Sequence, residues 1–169
     1  MKYTRFKDIP QLPRGLQFMD IDWTRLEDYF KKFGDFDTDP EYQRGYCWTS
    51  EQKRDFIEFC LRGGRSASTI HWNLYPSGLY ELVDGKQRLD AVLGFTHNRV
   101  PAFGSYYSQF TDKLPSTVDI RFAINHLETR SEVVEWYIAM NTGGSRHTEH
   151  DLSIARECLE QYRKEEVKL

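Results

Sequence analysis

The chain has 169 residues, with 26 acidic against 23 basic side chains and a formal net charge of −3. Hydrophobic residues make up 39% and aromatics 15%, enough bulk for a core, which excludes a disordered tail, a collagen and a coiled coil. The acidic balance excludes a globally basic nucleic-acid binder but leaves room for a local basic patch.

The elements follow in chain order. Trp23, Leu26, Phe30 and Phe33 share one helical face and predict a helix over 23–33, with Gly34 as its stop. Thr24 with Glu27 has capping-box spacing, and Asp22 is the alternative cap. A second helix is expected over 50–62. Thr49 and Gln52 make its capping box, Phe56, Ile57, Cys60 and Leu61 its apolar side, and Gly63-Gly64 its end. The runs TIHWNLY and LYELV flank Pro76-Ser77-Gly78 and read as a β-hairpin. Asp84-Gly85 then opens the helix KQRLDAVLGF, with Leu89, Val92 and Leu93 on its apolar face. Residues 117–125 alternate as a strand, with Val118, Ile120, Phe122 and Ile124 pointing one way. A helix over 130–140 starts at the box Thr129 to Glu132. The loop 141–145 and a last helix from near Thr148 follow, with Leu152, Ala155, Leu159 and Tyr162 on one face. No linker or repeat divides the chain, so residues 1–169 are read as one α+β domain with a small mixed sheet and surrounding helices.

The three cysteines, Cys47, Cys60 and Cys158, form no CxxC pair and read as packing residues. The N-terminus has no apolar signal core, and no run approaches the ~18 apolar residues of a membrane span. The expectation is a reduced, cytoplasmic protein without a membrane partner.

The densest chemical signal is LVDGKQRLDA, residues 82–91. A strand feeds a glycine-containing turn that opens a helix, and the free N–H groups of a helix's first turn attract anions. Lys86 and Arg88 in that turn oppose the helix dipole, so local helix stability does not account for them. A phosphate between them and the N–H groups does. Asp84 is a candidate to hold a metal ion, orient a water or cap the helix, and Gly85 a candidate for close approach to a ligand. The plain alternative is a capped helix whose Lys86 and Arg88 form a solvated face. A second cluster, PEYQRGYCW at 40–48, sets Gln43 and Arg44 among aromatics. Arginine can clamp a phosphate and an aromatic ring can stack on a base; the alternative is a packed loop with a surface ion pair. The aromatic segments 42–48 and 103–110 are both candidates for that stacking. In the third cluster, NTGGSRHTEH at 141–150, Asn141 is a candidate to orient a substrate or water. Gly143-Gly144 is either an anion cradle or a plain helix-to-helix turn. His147 and His150, with Glu149, Asp151 or His126, have a weak metal-ligand spacing. No GxxxxGK[ST], GxGxxG, HExxH or GxSxG occurs.

Taken together, PEYQRGYCWTSEQKRDFI, LYELVDGKQRLDAVLGF and YIAMNTGGSRHT resemble, in content and order, the N-terminal domain of GmrSD-type modification-dependent restriction proteins. That domain carries a DGQQR motif and belongs to the ParB/sulfiredoxin-like superfamily. The resemblance implies nucleotide binding and NTP hydrolysis coupled to a nuclease acting on foreign or modified DNA. Carried over, DGQQR falls on Asp84, Gly85, Gln87 and Arg88, with Lys86 where Gln is common. The QR motif falls on Gln43 and Arg44, and NTGG on Asn141, Gly143 and Gly144. The chain ends near residue 169, so the nuclease domain of full-length members is expected on a partner chain or not at all, as in a stand-alone phage protein or a fragment.

Three functions follow, in order. The first is an NTPase or phosphotransferase with Mg²⁺ in which Arg88 and Lys86 hold phosphates, Asp84 binds the metal or positions water, and Gln87 orients the attacking group. The second is a non-catalytic module that senses nucleotide or DNA through a partner. The third is a metal-dependent DNase drawing on Glu81, Asp84, Asp90 or His147.

Overall fold

In a computed structural model of the chain, residues 4–5, 16–43, 45–64, 68–142 and 149–167 are described. They contain β1 (Gln17–Asp22), α1 (Leu26–Phe33), β2 (Phe36–Asp37), α2 (Ser50–Leu61), β3 (Thr69–Leu74), β4 (Tyr80–Asp84), α3 (Lys86–Thr96), β5 (Asp119–Asn125), α4 (Arg130–Thr142) and α5 (Glu149–Glu166). The strands form one mixed sheet in the order β1-β5-β3-β4-β2. β1 runs antiparallel to β5, β5 parallel to β3, β3 antiparallel to β4, and β4 parallel to β2. The α+β expectation is met.

The sheet is covered on both faces. On one, Leu26 and Tyr29 of α1, Phe56 and Ile57 of α2, and Leu89, Val92 and Phe95 of α3 pack on Ile70, Trp72, Leu82, Ile120 and Phe122. On the other, Val133, Val134 and Tyr137 of α4 join Ala155 and Tyr162 of α5 around Val83, Tyr42 and Tyr75. β4 lies between these layers, which explains why residues 80–83 are all buried.

Helix boundaries follow local chemistry. Thr49 accepts from the Gln52 N–H at 3.2 Å, and the Gln52 side chain accepts from the Thr49 N–H at 2.9 Å, closing the expected box. Thr129 and Glu132 do the same at the start of α4. At the first helix Asp22 is the cap. It accepts from the Thr24 N–H at 2.7 Å and starts a 3₁₀ turn, Trp23–Arg25, ahead of α1. Phe33, expected on the buried side, is instead 47% exposed and stacks on Tyr29 at 4.5 Å, because α1 ends there over the sheet margin. α4 continues to Thr142, two residues past its expected end.

One irregularity positions the site. The β3–β4 register runs Leu74↔Tyr80, Asn73↔Glu81 and Trp72↔Leu82, then shifts to His71↔Asp84. Val83 is therefore an extra residue, a β-bulge that sets Asp84 directly opposite His71 at the strand's end.

Candidate functional site

Asp84 ends β4 and Gly85 turns the chain into α3. Gly85 has φ +103°, and a Cβ there would lie 3.0 Å from Ile70 Cγ1 and 3.2 Å from its Cα. The left-handed backbone and the close contact with β3 both require glycine at this position. Gly85 is also the N-cap residue and supplies no side-chain bond to the first turn. Asp84 does not cap α3. Its Oδ2 accepts from Arg88 Nη2 at 2.6 Å and lies 3.7 Å from His71 Nδ1. Burial pushes this carboxyl up, but His71 and the Arg88 guanidinium more than offset that and hold it at about 2.

The two cations of the turn are not a solvated face. Lys86 is 5% exposed, its ammonium paired with Asp39 and lying 4.7 Å from the centroid of the Tyr46 ring. Arg88 is half-buried beside Asp84. Each cation is held in place by a carboxylate from the β2–α2 segment or from the strand before it.

The segment 40–48 folds onto this turn and makes one unit with it. Gln43 Nε2 donates to the Leu82 carbonyl. Gln87 Oε1 accepts from the backbone N–H of Cys47 at 3.0 Å and of Trp48 at 3.1 Å, while its Nε2 donates to the Gly45 carbonyl at 3.1 Å. The Gln87 amide is therefore a latch on the loop. Tyr42 reaches past the turn to donate to Glu81 Oε1 at 2.8 Å. Arg44, between these anchors, lies outside the described residues.

The third cluster approaches through α4. Trp136 meets His71 edge-on at 5.9 Å, and Tyr137 packs on Tyr42 at 5.2 Å. Asn141 is one turn further on, its Nδ2 donating to the Tyr137 carbonyl at 2.7 Å. Gly143 and Gly144 lie outside the described residues, as does His147, and with it the His147–His150 pairing. His126 Nε2 is buried without a hydrogen-bond partner.

The remaining carboxylates of the nuclease reading are apart from one another. Glu81 is 2% exposed and accepts from Tyr42 and, at 3.2 Å, from Tyr75. Asp90 is paired with Lys53 at 2.5 Å between α2 and α3. Among the described residues no three His, Cys, Asp or Glu side chains group as a metal site. Cys60 is buried in the core and Cys47 is exposed beside the Gln87 latch.

Sequence reasoning missed His71, Asp39, Tyr46 and Trp136. His71 had a signal: in TIHWNLY it alternates with Ile70 and Trp72 onto the opposite face, the face of the strand partner that ends in Asp84. Asp39 and Tyr46 had none, since only the folded loop brings them to Lys86.

A family model described as GmrSD restriction endonuclease, N-terminal domain, matches residues 26–119. That span is more than half of the chain, and the chain belongs to this family, which ties it to restriction-related DNA processing. The matched span contains the Asp84–Arg88 turn and the 40–48 segment, whereas Asn141, Gly143 and Gly144 lie beyond it. Neither the curated proteins nor the solved structures contain a match. No helix among the described residues is long and apolar enough to cross a membrane.

Proposed function

We propose that the β4–α3 turn binds the phosphates of a nucleoside triphosphate and hydrolyses or transfers its terminal phosphoryl group in restriction-related DNA processing. The observation that supports this most is the pair of cations, Lys86 and Arg88, at the start of a helix whose N-cap residue supplies no side chain. A phosphate there meets the first turn of α3, the positive end of its dipole and both cations. Asp39 and Asp84 hold those cations in position until the phosphate exchanges with them. In the ParB/sulfiredoxin-like reading of the family, nucleotide use of this kind is expected.

Magnesium normally takes one or two carboxylates together with phosphate oxygens. Asp84, kept ionised down to about 2, offers one such carboxylate, so the residues fit a metal that arrives with the nucleotide. When bound, that ion neutralises charge on the phosphates. Gln43 and Gln87 fix the loop against the turn, and Arg44 and Asn141 are the further residues proposed to meet the nucleotide, with Gly143-Gly144 beyond them. Nuclease activity belongs, on this reading, to a partner chain or domain.

A second reading, binding without turnover, is favoured by Gln87. All its hydrogen bonds go to the 45–48 loop, so its amide is not placed to orient an attacking water. Phosphate release from each of the four common NTPs distinguishes the two. Release that falls by about 100-fold or more in Asp84→Ala, with nucleotide binding kept, marks an enzyme. Tight binding with no release in the wild type marks a sensing module.

A further inference from the structure

At the C-terminal end of α3 is a half-open pocket of about 240 Å³. Its walls are Phe95, Phe103, Tyr107 and Phe110, with Leu61 and Leu114 closing it. Phe95 is the buried floor, and Tyr107 and Phe110 stand edge-on to it at 5.5 and 6.1 Å. Phe103 forms the rim.

Phe103 is hard to explain by folding. It sits in a tight turn closed by Ala102 and Ser105, which exchange backbone hydrogen bonds of 2.9 Å. Both central residues are left-handed, Phe103 at φ +50° and Gly104 at +78°. Such turns favour Asn-Gly, and a bulky residue in the first place is strained. The phenyl ring gains little core burial in return, since the residue is 47% exposed. The turn is held by Glu58, which accepts from the Phe103 N–H at 2.8 Å, and by Arg62, whose guanidinium lies 5.0 Å from the ring centroid. Observed strain at an exposed aromatic beside a cavity points to a ligand.

We propose that this pocket takes a single nucleobase from a DNA strand. Its volume suits one heterocycle, and its walls are π-faces and edges, which stack on any base without needing a particular hydrogen-bond pattern. Arg62 at the rim and Lys113 in the lining supply the positive charge that the adjoining phosphodiesters require, and Asp112 is the one carboxylate of the lining. Phe95 is nine residues along α3 from Lys86, about 14 Å at the helical rise. The pocket is thus separate from the β4–α3 turn and does not depend on the nucleotide reading. It would let the domain hold DNA while nucleotide chemistry proceeds elsewhere.

The test is fluorescence anisotropy of the full chain with a short labelled single-stranded oligonucleotide, alongside a wholly abasic strand of the same length. The wild type is expected to bind. Phe103→Gly is expected to bind at least about ten-fold more weakly, the loss of one base stack of ~1.4 kcal/mol. Its melting temperature should be unchanged or higher, because glycine relieves the left-handed strain, and that separates lost binding from lost folding. The abasic strand should lose a similar factor, while Lys31→Ala, an exposed residue of α1 outside both sites, should bind like the wild type. No binding by the wild type, equal binding by Phe103→Gly, or equal binding of the abasic strand would overturn the proposal. A loss confined to Arg88→Ala would overturn it too, by moving the DNA to the β4–α3 turn.

Discussion

Glu81 and Asp84 lie three residues apart on β4 and are treated in opposite ways. Glu81 is enclosed between the sheet and α4, with two tyrosine hydroxyls as its donors, and burial pushes its carboxyl up despite them. Asp84, past the bulge, faces His71 and Arg88, which hold it at about 2. Neutral donors leave a buried carboxylate hard to ionise, whereas a cation makes it hard to protonate. The difference divides labour along one strand: Glu81 ties segments together, and Asp84 keeps its charge at the mouth of the turn.

The largest way to break this contrast is to remove Glu81. Glu81→Ala leaves the Tyr42 and Tyr75 hydroxyls buried without their acceptor and is expected to cost about 3 kcal/mol in urea unfolding. Glu81→Gln keeps an acceptor and should cost about 1 kcal/mol.

The pH dependence of stability sharpens the contrast, because the two groups have opposite signs. The contribution of Asp84 is complete above its ordinary 3.8 and is lost as pH falls from there toward about 2. That of Glu81 is complete below its ordinary 4.5 and is lost as pH rises through its raised value. Asp84→Asn should therefore flatten the acid limb of the stability curve, and Glu81→Gln the limb above pH 4.5. Because the Asp84 side chain is 36% exposed, solvent screening reduces its share, and Asp84→Asn is expected to cost about 1 kcal/mol near neutrality.

The smallest effect is at the latch. Gln87→Ala is expected to lower global stability by about 1 kcal/mol or less. It should nonetheless speed amide hydrogen exchange at Cys47 and Trp48, whose N–H groups it releases. Unchanged exchange at those two amides would contradict the latch.

Much of this was legible in the sequence where the signal is local. The Thr49–Gln52 box, the 69–83 hairpin, the α3 and α5 periodicities and the strand ending at Asn125 follow from short-range rules and are present. β1 was not legible, because Gln17–Asp20 are exposed and Phe18 and Met19 are adjacent, which breaks the alternation of a half-buried strand. β2 has two residues and no period to read. At the site, the cationic turn was visible as a motif, but its wiring was not. The Lys86–Asp39 pair, the Gln87 latch and the His71–Asp84 juxtaposition join residues 47, 39 to 42 and 13 positions apart. A bulge of one residue decides the last of them, and no local pattern announces it.

The central claim is that the β4–α3 turn holds nucleotide phosphates, and the most direct measurement is thermal stabilisation of the chain by ATP, GTP, CTP and UTP with Mg²⁺, with Arg88→Ala beside it. A nucleotide at about 100 times its Kd stabilises by about 2.7 kcal/mol. The account predicts a clear upward shift in Tm for at least one of the four, abolished in Arg88→Ala. No shift with any nucleotide, or the same shift in the variant, would contradict it.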